Sequence, residues 1–327
     1  MKRYLILPFI VLSLFTEFSY AANPIDECFN YKKAQDYQNA IQAGKMAVKL
    51  YPSNTDANYC LGASYLEVGE LDLAITYLKK AEKYASKKSD LMWTYNLLGM
   101  AYYKKGMLED ALFYFNKALS LAKDLDDIDA EATLLNNIAV IYSYKGELNK
   151  ALSYYEKSLS LKTDEKDKAT TYSNIASIYN EQGNYQKAIE YFQKALDIYE
   201  RYGDYHRYAR VELKLGETYR RMKDYQNAEK YLLDGLTKIQ KVGDKYWEGN
   251  AYKYLGWLYR DKGDKNLAKD YLNKALQIYT EIGASGKVNE VKNDLASLNT
   301  SQKLNKIIEA IKKLIEAIKK VIEAIFT

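Results

Sequence analysis

The sequence predicts an all-α solenoid built from about seven helix-turn-helix units, and three observations lead to that prediction. First, a tyrosine is followed nine residues later by an alanine at seven places, each within an amphipathic stretch. Second, successive tyrosines of this set are 34 to 40 residues apart, so insertions fall between units and not within them. Third, proline, which interrupts helices, occurs only 3 times in 327 residues. The seven pairs are Tyr31/Ala40, Tyr65/Ala74, Tyr102/Ala111, Tyr142/Ala151, Tyr179/Ala188, Tyr219/Ala228 and Tyr259/Ala268.

Residues 1–21 have the composition of a secretory signal peptide. Lys2 and Arg3 precede an apolar run over residues 4–15, and small residues stand at Ser19 and Ala21. This order of basic, apolar and small residues is typical of a cleaved export signal, and the apolar run is short for a membrane span. We expect cleavage after Ala21 and a mature protein that is periplasmic or secreted.

The first two units carry the only 2 cysteines of the chain. In an oxidising compartment Cys28 and Cys60 could form a disulfide, since they occupy equivalent helices of neighbouring units. Alternatively, Cys28 simply fills a packing position that other units give to glycine or alanine. The sequence leaves both alternatives open, and two cysteines at this spacing predict no metal site.

Small residues recur at fixed points of the units, which together span residues 22–300. One stands three residues before each tyrosine and another seven residues after each alanine, so the two helices of a unit can approach closely. In five units a glycine follows the tyrosine after four residues, where it ends the first helix in the left-handed conformation. Gln35 and Lys223 replace this glycine in the first and sixth units, and we expect looser turns there. Residues 286–298 predict one further helix that caps the last unit.

The order of these residues resembles the tetratricopeptide repeat. "LGASYLEVGELDLAITYLKKA" (residues 61–81) and "LGMAYYKKGMLEDALFYFNKA" (residues 98–118) carry nearly the whole motif, and the resemblance spans roughly residues 22–282. It implies a right-handed superhelix with a concave groove, and a non-enzymatic scaffold that binds a protein or peptide there. In the first repeat, Ile25 and Phe29 stand where the family's two-carboxylate clamp needs lysine and asparagine, so binding of a chaperone tail is not expected.

The resemblance implies that the first helix of each repeat lines the groove, and several asparagines lie on that face. Amide side chains both donate to and accept from a peptide backbone, and related scaffolds use asparagines such as Asn137 and Asn174 as a ladder along an extended peptide. The alternative is that asparagine is only a soluble residue on an exposed helix face. The predicted groove asparagines are Asn96, Asn136, Asn137, Asn174 and Asn180.

The same face becomes basic and aromatic in the sixth and seventh repeats. Such a cluster could capture the carboxylates of an acidic peptide or of a C-terminus. The alternative is a solvated face of internal salt bridges, because Glu217 and Asp261 lie among these residues. The predicted basic and aromatic groove residues are Arg210, Lys214, Arg220, Arg221, Lys253, Trp257 and Arg260.

Catalytic chemistry has little support in the sequence. His206 is the only histidine, and it lies in a connector, so a serine or cysteine nucleophile would depend entirely on it. The many carboxylates follow the solvent-facing helix pattern, and no pair stands out as an acid and a base. The formal charge of +5 is small for this length and argues against nucleic acid as a partner. We therefore predict no catalytic residue, no metal and no cofactor.

Residues 301–327 depart from the repeat and predict an amphipathic C-terminal helix with a heptad-like apolar stripe. The stripe is too large to remain in water, so the helix either caps the solenoid, pairs with copies of itself, or lies on a membrane surface. An oligomerisation or membrane-attachment protein that acts mainly through this helix is the alternative function. The stripe contains Ile307, Ile308, Ile311, Leu314, Ile315, Ile318, Val321, Ile322 and Ile325.

Overall fold

The structure is a computed structural model that describes the backbone of residues 23–326 and the side chains of residues 23–298, 307–316 and 318–319. The predicted signal peptide and the side chains of the stripe residues Val321, Ile322 and Ile325 lie outside the described part. Within the described residues every regular element is a helix, which confirms the all-α prediction. The helices are α1 (Pro24–Lys33), α2 (Tyr37–Leu50), α3 (Thr55–Glu67), α4 (Leu71–Tyr84), α5 (Lys88–Lys104), α6 (Leu108–Asp124), α7 (Ile128–Tyr144), α8 (Leu148–Leu161), α9 (Glu165–Glu181), α10 (Tyr185–Arg201), α11 (Tyr205–Arg221), α12 (Tyr225–Val242), α13 (Lys245–Asp261), α14 (Lys265–Glu281) and α15 (Ser285–Phe326).

The first fourteen helices form seven consecutive packed pairs, and each pair is one predicted repeat. The repeat tyrosine lies on the first helix of its pair and the repeat alanine lies on the second. The described residues divide into two compact units, one up to residue 127 with α1–α6 and one from residue 128 with α7–α15. Within each unit, the two helices of a pair pack against each other and each pair packs against the pair that follows it.

Glycine and aromatic residues bring the two helices of a pair together. A Cβ atom at Gly99 would lie 2.6 Å from Cδ1 of Phe115, so only glycine allows α5 to pack this closely on α6. Tyr102 fills the adjacent space and stacks on Tyr114, with ring centroids 5.3 Å apart. Six of the seven repeats contain such a stacked tyrosine pair, which accounts for much of the unusual tyrosine content of 34 residues.

The turns within the pairs share one backbone conformation. Gly69 ends α3 with a φ of 83°, which glycine adopts at little steric cost. Gln35 and Lys223 adopt the same left-handed region, with φ values of 60° and 66°. The expectation of looser turns was wrong, because the flanking backbone hydrogen bonds are retained, such as Asp224 N to Tyr219 O at 3.0 Å.

A disulfide joins α1 to α3 through Cys28 and Cys60, so the alternative left open by the sequence is resolved in favour of the bridge. Both cysteines are fully buried. The first repeat is thereby linked covalently to the second.

α15 has two parts with different surroundings. Val291 and Leu298 are buried against Leu272 and Tyr279, so the first part covers the last repeat. Beyond residue 306 the described apolar side chains are 41–61% exposed: Ile307, Ile308, Ile311, Leu314, Ile315 and Ile318.

Among the described residues, no helix combines the length and the apolar character that crossing a membrane requires.

Candidate functional site

A small cavity of about 100 Å³ lies between α9, α10 and α11 in the second unit, and we call it the basic cavity. Its chemical character is set by three cations and several hydroxyl and amide groups, and no acidic residue lines it. The lining residues are Thr170, Ser173 and Asn174 of α9, Tyr199 of α10, and Arg207, Arg210, Val211 and Lys214 of α11.

Helical spacing places these side chains on one face of each helix. The four lining residues of α11 follow the i, i+3, i+4, i+7 pattern, and those of α9 follow i, i+3, i+4. Each helix begins at an aspartate that caps it: Asp164 Oδ1 accepts from Lys166 N at 2.7 Å, and Asp204 Oδ1 accepts from Arg207 N at 3.1 Å. The caps fix the residue at which each helix begins, and this determines how far along the helix axis the lining residues lie.

Two of the three cations have no carboxylate within hydrogen-bond distance among the described residues. Arg207 is paired with Asp204, Nη1 to Oδ2 at 3.0 Å. The guanidinium of Arg210 instead lies over the ring of Trp247, 4.8 Å from its centroid. Lys214 donates only to Ser177 Oγ, at 3.3 Å. The basic cavity therefore holds positive charge that nothing nearby neutralises directly.

Burial makes this charge costly. Removal from water lowers the pKa of Arg210, which the neighbouring carboxylate of Asp244 partly offsets. Burial and the charge of Arg210 lower the pKa of Lys214 to about 8, although the carboxylate of Glu181 acts in the opposite direction. An anion in the basic cavity would recover part of this unfavourable free energy, because a buried charge gains most from a direct partner.

The other predicted arginines of the sixth and seventh repeats take part in an internal network. Arg220 Nε donates to Glu217 Oε2 at 2.7 Å, and its Nη1 donates to Asp261 Oδ2. Arg221 pairs with Glu217 at 3.1 Å, and Arg260 pairs with Asp261 at 3.1 Å. These three arginines fit the alternative of an internally paired face.

The first part of α15 occupies the predicted groove face of α13. Lys253 is only 3% exposed and donates to Glu290 Oε1 at 2.7 Å. Trp257 Nε1 donates to Asp294 Oδ2 at 2.8 Å. Both side chains already have partners within the chain, and the function proposed below does not depend on them.

The predicted asparagines have different surroundings in the structure. Asn174 lines the basic cavity, whereas Asn136 lies one repeat earlier and accepts from Thr171 Oγ1 at 3.3 Å. Asn137 neighbours Asn136 on α7 and is half-buried. Asn180 lies near the end of α9, with an amide oxygen that is buried without a hydrogen-bond partner among the described residues. Asn96 is buried in the first unit.

Sequence reasoning predicted Asn174, Arg210 and Lys214 but missed most of the other residues that line the basic cavity. Arg207 stands three residues before Arg210, so helical spacing alone could have identified it. Thr170 could have been found in the same way from Asn174. Tyr199 comes from the second helix of its repeat, and its hydroxyl lies 3.0 Å from Thr170 Oγ1. No pattern in the sequence of α10 indicates that this tyrosine reaches the inner face.

The arrangement suits the binding of an anionic group. His206 Nε2 lies 2.7 Å from Asp244 Oδ2, and the histidine does not line the basic cavity. The lining groups are hydrogen-bond donors and cations, which suit recognition of a carboxylate.

Comparison with known proteins gives a family match over most of the chain. A family model described as tetratricopeptide repeat matches residues 55–124, 90–164, 167–237 and 207–281. A TPR repeat-containing protein of Methanocaldococcus jannaschii is 36% identical over 104 residues, which are 31% of this chain and 18% of that protein. The chain thus covers less than a fifth of the length of this curated relative.

Solved structures give the same fold. The apo form of the quorum sensor NprR from B. thuringiensis matches with a TM-score of 0.72 at 20% identity, over 86% of this chain and 82% of that one. Apo RapI matches with a TM-score of 0.67 at 16% identity, over 80% and 98%. The Rap conjugation gene regulator of plasmid pLS20, in complex with the Phr* peptide, matches with a TM-score of 0.60 at 18% identity, over 81% and 75%.

Proposed function

Because the chain belongs to the tetratricopeptide repeat family, we propose that it is an exported interaction scaffold that binds an acidic peptide or protein partner at the basic cavity. A carboxylate of the partner would sit between Arg210 and Lys214, and Asn174 would hydrogen-bond the partner's backbone. The observation that carries this proposal is the presence of two half-buried cations without a carboxylate within hydrogen-bond distance, in a cavity with no acidic lining among the described residues.

Two further facts support peptide capture. The lining residues of α9 and α11 lie on the first helices of the fifth and sixth repeats, the face that the family resemblance assigns to the groove. A structural relative, the Rap regulator of plasmid pLS20, is described in complex with a peptide. At 18% identity this likeness extends to the fold, so the chemistry of the ligand is argued from the cavity alone.

Export is a second component of the proposal. The signal-like residues 1–21 motivate it, and the disulfide between Cys28 and Cys60 supports it, because structural disulfides persist in oxidising compartments. A periplasmic or secreted location is tested by fractionation of cells that express the full chain, with N-terminal sequencing of the product. An uncleaved protein in the cytosol would contradict this component.

Binding is tested with defined peptides. A labelled octapeptide of alternating glutamate and alanine with a free C-terminus is titrated against the full chain by fluorescence anisotropy, beside its amidated glutamine counterpart. The charged peptide should bind, and the Arg210→Gln/Lys214→Gln variant should weaken it at least about tenfold, since a hydrogen bond to a charged group contributes about 1.5–3 kcal/mol. Arg201→Gln is the matched control, because Arg201 is exposed at the end of α10 and does not line the basic cavity.

Two results would oppose the binding proposal. One is equal affinity for the charged and the neutral peptide. The other is equal loss of binding in the cavity variant and in Arg201→Gln, which would indicate only a general charge effect.

Assembly through α15 is a second candidate function, favoured by the exposed stripe beyond residue 306. A stripe of this kind is normally covered by another helix or by a membrane surface. Sedimentation of the full chain and of a chain ending at residue 304, together with flotation on anionic vesicles, separates self-association from membrane attachment. If the two chains behave alike in both assays, this candidate is ruled out.

A further inference from the structure

The first unit contains a second pocket, which we call the aromatic-acidic pocket, with a volume of about 140 Å³. It lies on the first helices of the first three repeats. It is lined by Phe29 of α1, by Thr55, Asp56 and Tyr59 of α3, and by Asp90 and Trp93 of α5. The family resemblance assigns these helices to the groove, but neither it nor the sequence patterns predict a ligand for this pocket.

Three aromatic rings give the pocket its walls. Phe29 and Tyr59 are stacked, with centroids 6.3 Å apart and planes at 26°. Trp93 is 38% exposed, which is high for a side chain that could pack into a core. Burial raises the pKa of Tyr59 to about 12, so its phenol stays neutral at physiological pH. Ring faces carry negative potential and attract cations, tryptophan most strongly.

Two carboxylates add negative charge beside the rings. Asp56 is exposed and makes no hydrogen bond or ion pair with another described residue. Asp90 Oδ1 accepts from Ser89 Oγ at 3.2 Å and has no ion pair with a described cation. The nearest described cation to a lining ring is Lys32, whose Nζ lies 6.0 Å from the centroid of Tyr59, at the outer limit of such a contact.

We propose that the aromatic-acidic pocket binds the ammonium group of a lysine side chain from a partner protein. Its volume suits a side-chain head group and is well below the roughly 300–1,000 Å³ of sites for whole small molecules. A primary ammonium has three donors that the free oxygens of Asp56 and Asp90 can accept, whereas a quaternary ammonium has none. That the lysine belongs to a protein rests on the proposed scaffold function, but binding of the ammonium group does not.

The test uses single-residue probes on the full chain. N-acetyl-lysine amide is titrated while tryptophan fluorescence is followed, beside N-acetyl-norleucine amide, which has the same stem without the charge. The lysine probe should give a saturable change that is absent in Trp93→Phe, and the norleucine probe should give none. Asp56→Asn/Asp90→Asn should weaken the lysine probe at least about tenfold, because it removes both charged acceptors.

Asp26→Asn is the matched control, since Asp26 is an exposed acid in the first turn of α1 and does not line the pocket. Should the double variant unfold, the single Asp56→Asn change at an exposed position serves the same purpose. Equal response to both probes, an unchanged signal in Trp93→Phe, or tighter binding of the trimethylated lysine probe would overturn the proposal. Binding of the acidic octapeptide is measured on the same variants and should not change, so failure of this proposal is distinguishable from failure at the basic cavity.

Discussion

The basic cavity and the aromatic-acidic pocket use the same repeat positions for opposite chemistry. Asp56, Trp93, Thr170 and Arg210 each stand nine residues before the tyrosine of their repeat. The first two line the aromatic-acidic pocket, and the last two line the basic cavity. One backbone position thus supplies an acid and an indole in the first unit, and a hydroxyl and a guanidinium in the second.

This difference shows which positions of the repeat are constrained by packing. The tyrosine, the alanine and the small residues recur because each touches the partner helix. In such close packing, adding or removing one methyl group lowers the stability of the fold. The position nine residues before the tyrosine lies at a pocket in the second, third, fifth and sixth repeats, whereas in the seventh it holds Asn250, which is buried and accepts from the Tyr279 hydroxyl. At a pocket its side chain meets solvent or a ligand. It can change its charge without disturbing the pair, so the ligand is determined there.

The first unit contains a disulfide and the second has no cysteine. Removing this disulfide should have the largest effect of the changes considered, and it should act on the first unit alone. Cys28→Ala/Cys60→Ala opens a link across 32 residues, which lowers the free energy of unfolding by about 3–4 kcal/mol in the chain-entropy account. In a repeat protein, a loss of stability in one repeat destabilises mainly the neighbouring repeats, because each repeat contacts only its neighbours. Hydrogen exchange should therefore rise in α1 and α3 and stay unchanged in α11, and the lysine probe should lose affinity. Equal deprotection of α3 and α11 would contradict this picture.

Matched glycine substitutions should destabilise the two units alike. A Cβ at Gly62 would lie 2.8 Å from Cγ of Leu78, and a Cβ at Gly216 would lie 2.8 Å from Cγ of Leu232. We expect Gly62→Ala and Gly216→Ala each to lower the free energy of unfolding by about 1–3 kcal/mol, measured by urea denaturation.

Gly69→Ala is the control for these two changes, because a Cβ there meets no atom within 4 Å and only the φ of 83° opposes it. It should cost less than either packing substitution. A larger loss for Gly69→Ala would mean that the turn, and not the close approach of the helices, limits the stability of a repeat.

The sequence predicted the fold well because the recurring residues are those that pack. Within the third repeat, for example, Gly99 lies against Phe115, Tyr102 stacks on Tyr114, and Ala111 is fully buried. Local packing of this kind recurs along the chain, so it leaves a repeating pattern in the sequence. The second tyrosine of each stack, such as Tyr114, carried a regular spacing of twelve residues that sequence reasoning did not use.

The candidate site was predicted less completely, because charge on a helix face does not reveal its partner. Arg210 and Arg220 look alike in sequence, ten residues apart on α11. Only the structure places Asp261 of the next repeat beside Arg220 and the ring of Trp247 beside Arg210. The covering of Trp257 by α15 also depends on the position of a helix outside the repeat pattern.

A pH titration is the finest way to separate the two sites, and its expected effect is the smallest. The pKa of Lys214 is lowered to about 8 in the folded chain, against about 10.4 for an unperturbed lysine. Below pH 8 the folded state carries a partly desolvated charge on Lys214, which the unfolded state carries in water. Between pH 8 and about 10.4 the unfolded chain binds more protons, so this group makes stability rise with pH over that window. Affinity for the acidic octapeptide should change in the opposite direction, because neutral Lys214 attracts no carboxylate.

We therefore expect binding at the basic cavity to weaken by up to about tenfold per pH unit above pH 8 through this group. Lys214→Arg should remove this slope, because arginine stays charged across the range. The lysine probe should bind the aromatic-acidic pocket equally well at pH 7 and pH 9, since a free lysine side chain remains mostly protonated there. A common pH slope at both sites would show that the difference in their affinities comes from the net charge of the chain. If instead each site binds a ligand of opposite charge and only the basic cavity shows a pH slope, the difference comes from the side chains that line each pocket.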